Sequence, residues 1–158
     1  MKRLLSALAL LASPAAARTS LGTFEGWGAF RDEQPLRCFA IAEPYRGGGG
    51  KWRPFATVST WPQAGVRGQV QVRLGRALMI DSPVLLTIGA QRFVMVAGGA
   101  DAWAPDARID AALVAAMRNA QGFTIRARAA TGSSFSESYA LKGAATAIDA
   151  AALGCARR

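Results

Sequence analysis

The chain has 158 residues, 19 Lys and Arg against 10 Asp and Glu, a formal net charge of +9, two cysteines and no histidine. The missing histidine excludes a Ser-His-Asp triad, a Cys-His nucleophile and a His-ligated zinc. The length suits one domain with one core.

The first residues read as a secretory signal. Met1, Lys2 and Arg3 form a positive start, Leu4 to Ala12 an apolar segment, and Ala15-Ala16-Ala17 the small residues before a cleavage site. The apolar run is well short of the ~20 residues that span a bilayer, and Pro14 interrupts its end. The expected division is a cleaved signal over residues 1–17 and a single β-rich domain over residues 18–158, placed in the periplasm or secreted. No later segment is apolar enough to span a membrane, and no cysteine follows the cleavage site to carry a lipid. Removing Lys2 and Arg3 leaves about +7 on the mature domain.

In an oxidising compartment the default fate of Cys38 and Cys155 is a disulfide, and two thiols allow one pairing. They are not spaced as C-x-x-C, and no histidine stands by to activate either of them. With both oxidised, no thiolate metal site is expected, and no cofactor motif is present.

The mature chain alternates short strand-like runs with turn signals. Trp27 to Arg31 and Leu36 to Ala42 come first; in the second, Phe39 and Ile41 face one way and Cys38, Ala40 and Ala42 the other. Gly47 to Gly50 then reads as a mobile hairpin loop. Phe55 to Thr60 resumes the alternation and ends near Pro62. Val66 to Leu74 carries the clearest pattern, with Val70, Val72 and Leu74 opposite Gln69, Gln71 and Arg73. Ala77 to Ile80, Val84 to Ile88 and Arg92 to Ala97 follow, punctuated by Asp81-Ser82-Pro83 and by Gly89.

From Asp106 to Asn119 the period changes. Ile109, Leu113 and Met117 recur at helical spacing, Asp106 suits the N-cap, Arg118 the C-terminal dipole, and Gly122 the stop. Phe123 to Ala129 and Phe135 to Leu141 predict a final hairpin around Thr131-Gly132. A short Ala-rich helix from Ala144 to Leu153 carries Cys155 at its end. The expected fold is mainly β, a β-sandwich or flattened antiparallel barrel with one central-to-late helix and a short C-terminal helix.

Few residues point to chemistry. Arg46-Gly-Gly-Gly-Gly-Lys51 lacks the Ser/Thr and the following helix of a phosphate-binding P-loop, because Trp52, Arg53 and Pro54 come next. Arg46, Lys51, Trp52 and Arg53 are the candidate partner-contact residues of a basic, aromatic-flanked loop. Of the four tryptophans, Trp27 and Trp103 are expected in the core, while Trp52 is the most exposed. Glu43, Asp81, Asp101 and Glu137 fall at predicted strand ends or turns, where carboxylates are usually solvated. A glycan hydrolase needs two of them about 5–9 Å apart. The basic residues are scattered through the strands without a run and read as a solvated basic surface.

One order of blocks is distinctive: Arg53-Pro54-Phe55 opening a strand that ends at Trp61-Pro62, then Met79-Ile80-Asp81, then Ala102-Trp103-Ala104 before the helix with Leu113 to Met117. Gly122 to Arg128 and Thr131-Gly132 follow, then Ser138-Tyr139-Ala140-Leu141-Lys142-Gly143 and a small-residue helix reaching Ile148 and Cys155. It resembles the invasion-associated locus B family of α-proteobacterial exported proteins over residues 36–155. Ala144 stands where that family usually has an aromatic, and Leu74-Gly75-Arg76 where it has a Gly-Tyr-like element. The resemblance implies a small periplasmic or secreted β-rich protein without established catalytic residues, from a family associated in some pathogens with host-cell invasion.

The function expected is that of a non-enzymatic exported interaction protein. Its partner would be an envelope protein or an anionic or glycan surface, rather than nucleic acid. The alternatives are a carboxylate-dependent glycan hydrolase and a structural envelope stress factor without a specific ligand.

Overall fold

A computed structural model describes residues 18–156; the expected signal segment lies outside them. Ten antiparallel strands form one open sheet: β1 (Arg18–Phe24), β2 (Trp27–Glu33), β3 (Leu36–Ala42), β4 (Phe55–Trp61), β5 (Val66–Arg73), β6 (Val84–Ile88), β7 (Gln91–Gly98), β8 (Asp101–Trp103), β9 (Gly122–Arg128) and β10 (Ser134–Ala140). Their spatial order is β1-β2-β3-β4-β5-β8-β7-β6-β9-β10. Helix α1 (Ala107–Asn119) packs on β5 and β7, and α2 (Ala144–Ala156) on β1 to β4. The mainly-β fold with one mid-chain and one C-terminal helix is the one the sequence predicts.

Antiparallel partners share a face, so the register sorts every strand residue. Ala29, Ala40, Val58 and Val70 pair in succession across β2 to β5, and Ala56, Val72, Ala102 and Ala97 across β4, β5, β8 and β7. In the other half Met95 and Val84 pair, as do Phe93, Leu86, Ile125 and Glu137 in succession. This inner face supplies one hydrophobic cluster, from Trp27 on β2 through Val72 to Ile125 and Tyr139 on β10, and both helices cover part of it. The two ends of the sheet therefore bury the same core. Trp27 Nε1–H donates to the Ala140 carbonyl at 2.8 Å, joining β2 to β10 across it.

The outer face has its own local covers. Phe39 and Ser59 point outward yet are buried. Arg18 and Arg37 lie over the Phe39 ring at 5.2 and 4.2 Å, Arg37 also over Trp61 at 4.8 Å, and Arg37 Nη2–H donates to Ser59 Oγ. The desolvation lowers the Arg37 pKa from its ordinary value.

Helix α1 begins as predicted: the Asp106 side chain accepts from Ile109 N–H at 2.8 Å. Asp110 adds a tie the sequence does not announce. Strand β8 pairs with β5 only from Gln71 onward, and the Asp110 carboxylate accepts the Val70 N–H at 2.7 Å. Three elements differ from expectation. β1 and β8 form without a clear alternating pattern of their own, because each completes a ladder on a stronger neighbour. Ala77 to Ile80 is not a strand; it contributes one bridge, Leu78 to Ala129, before Asp81 turns the chain with φ 59°.

Cys38 on β3 and Cys155 on α2 are joined by a disulfide, with their Cα atoms 5.7 Å apart. It closes a loop between residues 117 apart in sequence and ties α2 to the middle of the β1–β4 ladder. Loop-closure entropy assigns such a link at most about 4–5 kcal/mol. Urea unfolding of the oxidised protein against Cys38→Ala/Cys155→Ala is expected to show a clear fall in midpoint, reproduced by reductant on the wild type. An unchanged midpoint would mean the helix is held by packing alone.

Candidate functional site

The segment between β3 and β4 leaves the sheet at Glu43 and crosses to its far end. Tyr45 N–H donates to Ser138 O and Ser138 N–H to Arg46 O, each at 2.9 Å, so residues 45 and 46 bridge the free edge of β10. The four glycines then pass over the turn that follows β5. A Cβ on Gly47 would collide with the backbone of Ser136 and Glu137, and one on Gly50 with the Gly75 carbonyl. Gly47 to Gly49 also all have positive φ. The run expected as a mobile loop is instead a place where two backbones touch. Trp52 N–H donates to Gly75 O, and Arg76 Nε–H to Gly49 O, both at 3.2 Å.

Beneath this crossing lies a carboxylate in the core. Glu137 is on the inner face of β10 and 1 % exposed. Its Oε1 accepts Gly75 N–H at 2.9 Å and its Oε2 accepts the Tyr139 hydroxyl at 3.4 Å. Burial pushes the Glu137 pKa up, and the Gly75 and Tyr139 hydrogen bonds oppose that only in part. Tyr139 is fully buried, stacks on Phe123 at a ring separation of 4.6 Å, and is itself pushed up by burial and by Glu137. The expectation of a solvated strand-end carboxylate fails here. The signal for it is alternation: Phe135, Glu137 and Tyr139 share one face of the strand, Ser136 and Ser138 the other.

Beyond the crossing the chain walls an open groove of about 570 Å³. Ile41, Pro54, Phe55 and Trp52 give apolar lining, while Arg53, Arg73 and Glu43 give charge. Arg53 pairs with Glu43 at 2.8 Å on the surface. Arg73 forks onto Asp101 at 2.9 and 2.6 Å, lies over the Phe55 ring at 5.7 Å, and has its pKa raised by that carboxylate. Lys51 Nζ sits 5.3 Å from the Trp52 ring centre. Of the four candidate contact residues, Trp52 and Arg53 line the groove, Lys51 stacks on one of them, and Arg46 lies apart at the β10 bridge. Phe55, Arg73 and Ile41 are groove residues that sequence reasoning missed, since strand residues join a site only through the register.

The other carboxylates are dispersed. Asp101 serves Arg73 and Gln71, Asp81 is exposed in its turn, and Glu43 is the only acidic side chain lining the groove. Trp27 is buried as expected, whereas Trp103 is half-buried and lies on the outer face against Gly98. Among the described residues no helix is long and apolar enough to cross a membrane, and no three metal-ligating side chains converge.

No family model matches the chain and no curated protein does. Among solved structures, the crystal structure of invasion associated protein B from Bartonella henselae matches with a TM-score of 0.59 at 16 % identity, covering 86 % of this chain and 98 % of that one. At that identity the likeness is one of fold.

Glu137 also makes stability depend on pH with a definite sign. Its raised folded pKa gives a contribution that is complete below about 4.5, the ordinary value, and is lost as pH rises through the folded value. Glu137→Gln keeps an acceptor for Gly75 N–H without the buried charge, so its unfolding free energy should exceed the wild type's at neutral pH, with the two converging in acid. Glu137→Ala leaves that N–H unpaired and should cost about 1–3 kcal/mol. Parallel pH profiles for wild type and Glu137→Gln would show that the carboxyl does not titrate with folding.

Proposed function

We propose that this protein is a non-enzymatic exported binding protein that takes an anionic glycan of the cell envelope in the groove beside Trp52. The observation that carries the reading is the composition of that groove. Two aromatic side chains, Trp52 and Phe55, lie beside two guanidinium groups, Arg73 held by Asp101 behind the groove and Arg53 paired with Glu43 at its open surface. Aromatic faces stack on the apolar faces of sugar rings, and Arg53, whose pair with Glu43 is exposed and weak, can exchange that partner for a ring carboxylate or sulfate.

Other features support the same reading. The signal-like first residues and the Cys38–Cys155 disulfide suit an oxidising compartment outside the cytoplasm. The fold is shared with a protein described as invasion associated, a name that suits an interaction role. A paired-carboxylate hydrolase finds less support, because Glu43 has no second carboxylate beside it in the groove lining.

The test is calorimetric titration of the oxidised domain with oligouronates and with uncharged oligosaccharides of equal length. Saturable binding is expected for the charged series only. Trp52→Ala should weaken it about tenfold, the loss of roughly 1.4 kcal/mol of stacking. The absence of oligouronate binding, or affinity indifferent to Trp52→Ala, would remove the groove from consideration.

A further inference from the structure

Strand alternation gathers three of the scattered arginines onto one face. On β9, Arg126 and Arg128 are two residues apart and both point outward, opposite the buried Ile125 and Ala127. The register then builds three outward rows across this half of the sheet. Arg92, Thr87, Thr124 and Ser138 form the first. Val94, Leu85, Arg126 and Ser136 form the second. Arg128 and Ser134 form the third, with Val96 at the β7 end.

Two independent features mark this face. The first is charge. Five arginines elsewhere answer carboxylates, Arg18 with Asp32, Arg31 with Glu33, Arg53 with Glu43, Arg73 with Asp101 and Arg118 with Asp149, while others such as Arg67 and Arg108 stand singly. Arg92, Arg126 and Arg128 have no ion pair among the described residues, and their strands carry no outward acid. Asp81 is the one acid in the lining of a groove of about 880 Å³ that Arg126 and Arg128 also line. The second is exposed apolar surface. Val94 and Val96 are 64 and 54 % exposed on this face, and Ile80, 86 % exposed, stands on the same groove rim. Soluble surfaces seldom expose branched aliphatic side chains this fully beside one another.

We infer that the outer face of β7-β6-β9-β10 docks on an anionic phospholipid surface. Unpaired guanidinium groups interleaved with hydroxyls meet the phosphate layer, and the aliphatic side chains of Val94, Val96 and Ile80 enter the boundary below it. A soluble polyanion would use the arginines without the valines. The combination of free cations with exposed aliphatics on one rigid face is that of peripheral membrane attachment.

Co-sedimentation of the oxidised domain with phosphatidylglycerol-containing vesicles and with pure phosphatidylcholine vesicles tests the proposal. Binding is expected to the anionic vesicles only. Each arginine near an anionic surface is worth roughly fivefold in partitioning, so Arg92→Ser/Arg126→Ser/Arg128→Ser should lower it about a hundredfold. A control that removes the same charge elsewhere, Arg67→Ser/Arg108→Ser/Lys142→Ser, should lower it far less. Val94→Ser/Val96→Ser should weaken vesicle binding several-fold and leave retention on a dextran sulfate column unchanged. Equal loss in the two triple variants, equal binding to neutral vesicles, or indifference to the valine changes would each overturn the assignment. Circular dichroism of each variant secures that the fold is retained, since all the changed side chains are exposed.

Discussion

The groove beside Trp52 depends on a carboxylate buried in the core. Burying Glu137 is unfavourable in itself, and the structure offsets it with the Gly75 N–H and the Tyr139 hydroxyl. In return the group fixes the turn after β5 against β10, and that turn is what the glycine run crosses. Trp52 hangs its backbone on the same Gly75 and enters the groove from there. A hydrophobic residue at position 137 would remove the buried charge and with it the acceptor that sets where Gly75 lies. A buried acid is thus more informative about position than about net stability.

The disulfide acts on the opposite end of the same core. An open sheet of ten strands has two edges, and each is managed by a different device. At β10 the segment of Tyr45 and Arg46 caps the edge with backbone hydrogen bonds. At β1 the neighbour is α2, which lies on β1, β2 and β3 and is locked to β3 by Cys155. Arg31 on β2 reaches the Gly154 carbonyl at 2.7 Å, so the last turn of α2 is held by a hydrogen bond beside the covalent link. The helix is rich in alanine and presents little side-chain volume of its own, with Ala144, Ala147, Ile148 and Ala151 as its buried residues. Weak packing of that kind is where a covalent tie has the most effect.

Much of the fold was legible because two-residue alternation is a direct record of which face is buried. Val70, Val72 and Leu74 opposite Gln69, Gln71 and Arg73 fell on the faces the sequence predicts, and so did Cys38 opposite Phe39. What escaped has physical reasons. β8 is three residues long and exists because β5 and β7 both lack a partner there. The glycine run shows backbone freedom in sequence, but whether that freedom serves motion or close contact is decided by what lies opposite, which here is Gly75. The site was legible in part: Trp52 and Arg53 stood out as an aromatic beside a cation, whereas Arg73 and Phe55 meet them only after β4 and β5 pair.

Division of labour between the two faces of the sheet follows from the same alternation. The inner face carries the disulfide, the Glu137 tie, the Asp110 tie and the apolar cluster, so substitutions there act on folding. The outer face of β6, β7, β9 and β10 carries side chains whose removal leaves no buried group unpaired. A net positive charge read from composition alone is featureless, yet on one half of the sheet arginines are paired, as Arg73 is with Asp101 and Arg18 with Asp32. Arg92, Arg126 and Arg128 add a local concentration of unpaired charge on the other half, so that face gives the molecule an electrostatic orientation as well as a net charge. An oriented charge turns the molecule before contact, which a uniform one of the same magnitude cannot do. The rigidity of the clamped core is what keeps that orientation fixed relative to the Trp52 groove.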